Sequence, residues 1–159
     1  MTGVQTCALP ISDAELATNY VVFTGNTSID KIYPQWWGAN ANDSGSTDCH
    51  PAIQNAVFAA ASLPKNAGEL VGGTVYYIPG TYATTDTIYA NKTINGTYVD
   101  GITHVGENFR ASRIIMSSTT ATGPIIKFGD SSTTTYGCRL SGLTIQRFSA
   151  PTCMTTPGT

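Results

Sequence analysis

The stretch from Tyr33 to Tyr82 constrains this chain more than any other part. It begins Y-P-Q-W-W-G-A-N-A-N-D-S-G-S-T-D-C-H-P-A-I-Q-N-A-V-F-A-A-A-S and, after a Gly-containing turn, ends G-G-T-V-Y-Y-I-P-G-T-Y. An aromatic extended piece, Ile32 to Trp37, leads through a polar turn into a helix expected at about 49–63. Asp48 is placed to cap that helix, since a carboxylate there can accept a free backbone N–H and meets the positive helix end. Pro51 falls in the first turn, where its missing N–H costs little. Ile53, Ala56, Val57 and Ala60 recur at three- and four-residue steps and form an apolar stripe. Pro64 is expected to end the helix. Gly72-Gly73 then opens a β-branched and aromatic strand.

From there the chain is a series of short strands. Thr74 to Ile78, Thr87 to Tyr89, Ile102 to Val105, Arg113 to Met116, Ile125 to Phe128 and Leu140 to Ile145 are each bounded by Gly, Asn, Pro, Ser or Thr. Tyr20 to Phe23 reads as an earlier short strand. Side chains alternate across a strand, which makes Val75, Tyr77, Ile114, Met116, Ile126, Phe128, Leu143 and Ile145 the core-facing candidates. No strict repeat is visible in the spacing. An antiparallel sandwich would fit the strand lengths, but Asn95-Gly96 is the one hairpin turn signal at a suitable gap, and the early helix between two strands argues against it.

The aromatic segment, helix and Gly-opened strand together resemble the N-terminal cap of the pectate-lyase superfamily, the polygalacturonase- and rhamnogalacturonase-like right-handed parallel β-helix proteins. V-D-G-I-T-H-V-G-E-N-F-R-A-S-R-I-I and G-C-R-L-S-G-L-T-I resemble rung junctions of that family. The resemblance covers most of Ile32 to Ile145. It implies an all-β solenoid whose first rung is covered by the helix. It also implies an extracellular protein acting on a polysaccharide, pectin-like and acidic, as a lyase or glycoside hydrolase. Two alternatives stay open: a phage tailspike or other surface-attachment protein on the virion, in which case a homotrimer is possible, and a non-catalytic structural or adhesive β-helix. Calcium would enter only if the full-length protein is a lyase.

Residues Met1 to Ile11 match a common sequencing-adapter oligonucleotide read as codons, so 1–12 are set aside as non-native. The remainder, 13–159, reads as the cap and first rungs of one β-helix domain, truncated at both ends. Hydrophobic residues make up 41% of the 159, enough for a core, while charged residues are only 11% against an average of roughly 25%. With a net charge of -2 and no basic patch, nucleic-acid binding is disfavoured. No run of about 18 apolar residues is present to span a membrane as a helix. Cys7 belongs to the adapter-like segment, which leaves Cys49, Cys138 and Cys153; a Cys138–Cys153 bridge and buried thiols are both open. The sequons at Asn26, Asn42, Asn91 and Asn95 carry no weight in a chain so rich in Ser, Thr and Asn. His50 and His104 lack metal-ligand spacing.

Polysaccharide cleavage needs convergent charged groups, such as paired carboxylates for hydrolysis. Glu69, Asp86, Asp100, Glu107 and Asp130 are scattered at apparent turns, so the catalytic residues are expected outside this piece. His104 and Arg113 are kept as the catalytic candidates within it, although a strand His and separated arginines read first as surface residues. Trp36, Tyr76 and Tyr82 are the candidates for stacking on sugar rings. At least one of Trp36 and Trp37 is expected instead to pack under the capping helix, because a buried indole dominates a core.

Overall fold

The computed structural model describes residues 29–42, 44–63, 72–90, 92–94, 97–99, 101–116, 123–129 and 137–147. The expected strand at Tyr20–Phe23 lies outside them, as do the adapter-like segment and Cys153.

Eleven strands and one α-helix are described, in the order β1 (Lys31–Ile32), α1 (His50–Ala61), β2 (Thr74–Tyr77), β3 (Gly80–Thr84), β4 (Ile88–Tyr89), β5 (Lys92–Ile94), β6 (Thr97–Val99), β7 (Thr103–Gly106), β8 (Ser112–Met116), β9 (Ile126–Lys127), β10 (Arg139–Ser141) and β11 (Thr144–Arg147). Three parallel sheets stack the chain's successive passes. The first runs β1-β2-β7-β10, the second β3-β8-β11 and the third β4-β9. Thr74 pairs with Thr103, and Thr103 with Arg139; Tyr82 pairs with Ile114, and Ile114 with Ile145; Ile88 pairs with Ile126. Each pass thus visits the sheets in the same order and lies beside the pass before it. This is a solenoid-like arrangement of mostly parallel strands with one capping helix.

One departure from parallel pairing stands outside the stack. β5 and β6 form an antiparallel pair, Ile94 opposite Thr97. That is the hairpin signalled by Asn95-Gly96.

The core lies between the sheets. Ile32, Val75 and His104 form one inward column and Tyr82 and Ile114 another, all fully buried. Burial of each large side chain contributes about 1.5–3 kcal/mol. The columns thin at the last described pass. Ile126, Leu143 and Ile145 are half-buried, and Leu140 and Phe128 are exposed. The core positions expected at Val75, Tyr77, Ile114 and Met116 are all fully buried. Phe128 is not: it follows β9, and among the described residues no strand pairs on the far side of β9.

The helix closes the other end, and it does so with polar side chains as well as apolar ones. Ile53, Ala56, Val57 and Ala60 are fully buried as expected. Gln54, also buried, treats the edge of β4 as a strand would. Its amide Nε2 donates to the Tyr89 carbonyl at 3.0 Å, and its Oε1 accepts the Tyr89 N–H at 2.9 Å. His50 Nε2 lies 3.0 Å from the Thr87 carbonyl oxygen. Asp48 does the same for the end of β3. It forms a parallel bridge with Ala83, and its carboxylate accepts the Thr85 N–H at 3.1 Å and the Thr85 hydroxyl at 2.6 Å. An open sheet edge would otherwise present unpaired backbone groups to another chain.

These roles correct two local expectations. Asp48 is not the N-cap; Cys49 is, without a side-chain capping bond. The Asp48 carboxylate still accepts the His50 N–H, at 3.0 Å, but sits one residue early because its backbone is bridged to β3. The segment expected to stay extended to Trp37 instead turns after Ile32 into a 3-10 helix over Pro34–Trp37. Pro34 at its first position supplies the required φ and has no N–H to leave unpaired.

Candidate functional site

The two catalytic candidates are far apart in role. His104 is not a surface residue: it is fully buried on the inward side of β7, beside Val75. Its Nδ1 lies 2.9 Å from the Tyr77 hydroxyl, and the two rings stack with centroids 5.9 Å apart. Its Nε2 is buried with no hydrogen-bond partner. Burial pushes its pKa down to about 4 and pushes that of the Tyr77 hydroxyl well above its ordinary value, with the nearby Tyr82 adding to the latter. A group sealed between the sheets cannot reach a polysaccharide. Arg113 lies on the other sheet, where its guanidinium donates to Gln146 Oε1 at 2.9 Å across neighbouring passes. The structure does not bring the pair together.

Tyr82 is also removed from the sugar-facing set. It is fully buried, and its hydroxyl donates to the Ile78 carbonyl at 3.0 Å while accepting from the Gln35 amide. Its pKa is pushed up to about 12, chiefly by burial. The reason is local: Gly80–Thr84 is a strand, and Tyr82 takes its inward position.

Trp36 and Tyr76 remain outside, and the structure joins them. Trp36 is 47% exposed, whereas Trp37 is buried in the core with the helix alanines, which divides the two indoles as expected. Tyr33 lies between the candidates, 5.3 Å from the Trp36 ring centroid and 5.5 Å from that of Tyr76. Lys31 adds an ammonium 4.5 Å from the Tyr76 centroid. The result is a continuous ring surface, Trp36–Tyr33–Tyr76, ending in a cation. It spans the first two passes on the outward side of the β1-β2-β7-β10 sheet.

Sequence reasoning missed Tyr33 and Lys31. The available signal was alternation, since the inward Ile32 places both neighbours outward. The outward side of the adjoining sheet is less accessible at the same level. Ala83 and Ile115 are buried there, and a side chain on Gly45 would strike Ile115 Cδ1 and touch Ala83.

Among the described residues, no group of three His, Cys, Asp or Glu side chains could hold a metal ion. Asp86 and Glu107 are exposed at turns; Glu69, Asp100 and Asp130 lie outside the described residues. No described helix is long and apolar enough to cross a membrane.

No family model matches the chain, and no curated protein matches it. Among solved structures, it is similar to ORF18 of Geobacillus virus E2, at 27% identity and a TM-score of 0.55 over 73% of this chain and 21% of that one. The chain therefore spans about a fifth of the viral protein it matches. The likeness supports a β-helix-like fold and gives no specific tie to the pectate lyases.

Proposed function

We propose that this chain is part of a virion surface-attachment protein, of the tailspike kind, that binds a polysaccharide on the outside of a right-handed parallel β-helix. The observation that carries the reading is the match of most of the chain to a viral protein. The outward aromatic surface supports it, because apolar sugar faces stack on rings. The reading places the protein on the virion surface and makes adhesion its role in these passes. A lyase or hydrolase would need clustered acids or a charged base facing one groove. The two catalytic candidates, one sealed in the core and one bonded to Gln146, do not supply that.

Affinity electrophoresis of the chain through gels containing purified bacterial capsular and cell-wall polysaccharides tests the proposal. At least one polysaccharide should retard the chain, with no new reducing or unsaturated ends released. Retardation by none of them would overturn the attachment reading. Chain-dependent release of new ends would restore the enzyme reading.

A further inference from the structure

We infer that the outward face of the β1-β2-β7-β10 sheet is an anionic-glycan site that runs across the passes. The inference rests on the attachment reading and deepens it by naming the ligand's chemistry and its contacts. Parallel register sets Lys31 beside Thr74, Thr74 beside Thr103, and Thr103 beside Arg139. These four residues alternate with the inward Ile32, Val75, His104 and Leu140, so they share the outward side. The row therefore has a cation at each end and two hydroxyl side chains between. At the usual strand spacing it is about 14 Å long, which suits an oligosaccharide segment rather than a single sugar.

The aromatic surface borders one end of this row. A sugar stacked on Trp36 or Tyr33 would carry its substituents past Tyr76 toward Lys31. The Lys31 ammonium rests on the Tyr76 ring, and that contact leaves it N–H donors for an anion. Arg139 is exposed and offers a planar fork suited to carboxylate, phosphate or sulfate. Among the described residues, the acids nearest along the chain, Asp30 and Glu107, lie just beyond the ends of β1 and β7 rather than within the row. Charge selects the ligand here, and the rings supply the grip common to sugars.

The test uses the whole chain and immobilised glycans of both kinds: alginate, hyaluronan, chondroitin sulfate and poly(glycerol phosphate) teichoic acid against dextran, galactomannan and carboxyl-reduced alginate. The chain should prefer one or more of the anionic glycans, and comparison among them tells carboxylate from phosphate or sulfate. Lys31→Gln and Arg139→Gln should each weaken that binding about fivefold, as expected for loss of an exposed charge-assisted hydrogen bond, while Lys31→Arg keeps it. Trp36→Ala should weaken it more, about tenfold. Circular dichroism checks that the variants remain folded. Equal binding of neutral glycans, or full binding by both glutamine variants, would overturn the inference and leave the attachment reading standing. Binding to none of these glycans or to the capsular and cell-wall set would remove both.

Discussion

Replacing Gly106 with alanine is expected to cost about 3 kcal/mol or more of stability, among the largest losses at any single position. Gly106 ends β7 and faces Gly142, the residue after β10, across neighbouring passes. A Cβ at Gly106 would fall well inside van der Waals contact distance of the Gly142 carbonyl oxygen and press on the Leu143 side chain, 2.8 Å away. Backbone cannot swing aside as a flexible side chain can, so relief requires separating two passes. Gly142 itself is left-handed, with φ 64°, a conformation that favours glycine. In a stack where each pass contacts only its neighbours, a lost interface is not recovered elsewhere. Urea unfolding should show a lower midpoint at an unchanged slope. A Gly106→Ala variant within about 1 kcal/mol of the parent would contradict the close approach of these passes.

The second large effect is a loss of stability in acid, traceable to His104. In the unfolded chain a histidine takes up a proton near pH 6.5, but burial holds His104 neutral in the fold until about pH 4. Its contribution is therefore fully present above pH 6.5, declines as the pH falls toward 4, and does not fall further below that. The span corresponds to about 3 kcal/mol. Carboxylates titrate in the same range, so the measurement is a comparison with His104→Gln, which can still accept from the Tyr77 hydroxyl. At pH 7 the variant should be the less stable by about 1–3 kcal/mol, through lost packing. Near pH 4 that deficit should close or reverse. A deficit equal at both pH values would show that His104 is not sealed from solvent.

The helix was legible in the sequence because three signals agreed, although the cap lay one residue later than Asp48: Pro51 early, a periodic apolar stripe and Ala-rich composition. Its observed span, His50–Ala61, falls inside the expected one. Most strands were legible from β-branched runs between turn residues. Gly80–Thr84 was not, because Pro79-Gly80 reads as a turn, and the strand begins at that glycine with a φ of 146°. The run from Leu140 to Ile145 conceals two strands in different sheets, divided at Gly142. The one local mark of the corner is the Ser141-Gly142 pair, a turn-type dipeptide that a continuous strand reading passes over.

The site was half legible. Exposure of Trp36 and burial of Trp37 follow from one polypeptide turn presenting two indoles to opposite sides; the aromatic motif suggested only that at least one of them packs under the helix. The burial of His104 and Tyr82 depends on which residues of distant strands lie side by side. His104 continues the column of Val75, and Tyr82 that of Ile114. Register between passes is a tertiary property that a single sequence does not display. The row joining Lys31 to Arg139 was hidden for the same reason.

The most direct test of a polysaccharide held on the outward face is a fluorescence titration of the Trp37→Phe variant. The chain contains two tryptophans, so this leaves Trp36 as the reporter. A polysaccharide that retards the chain in affinity gels should shift the Trp36 emission to shorter wavelength, with a titration midpoint equal to that for retardation, as the ring leaves water for a sugar face. Emission that stays unchanged while the same polysaccharide saturates the chain would place binding elsewhere and contradict the account.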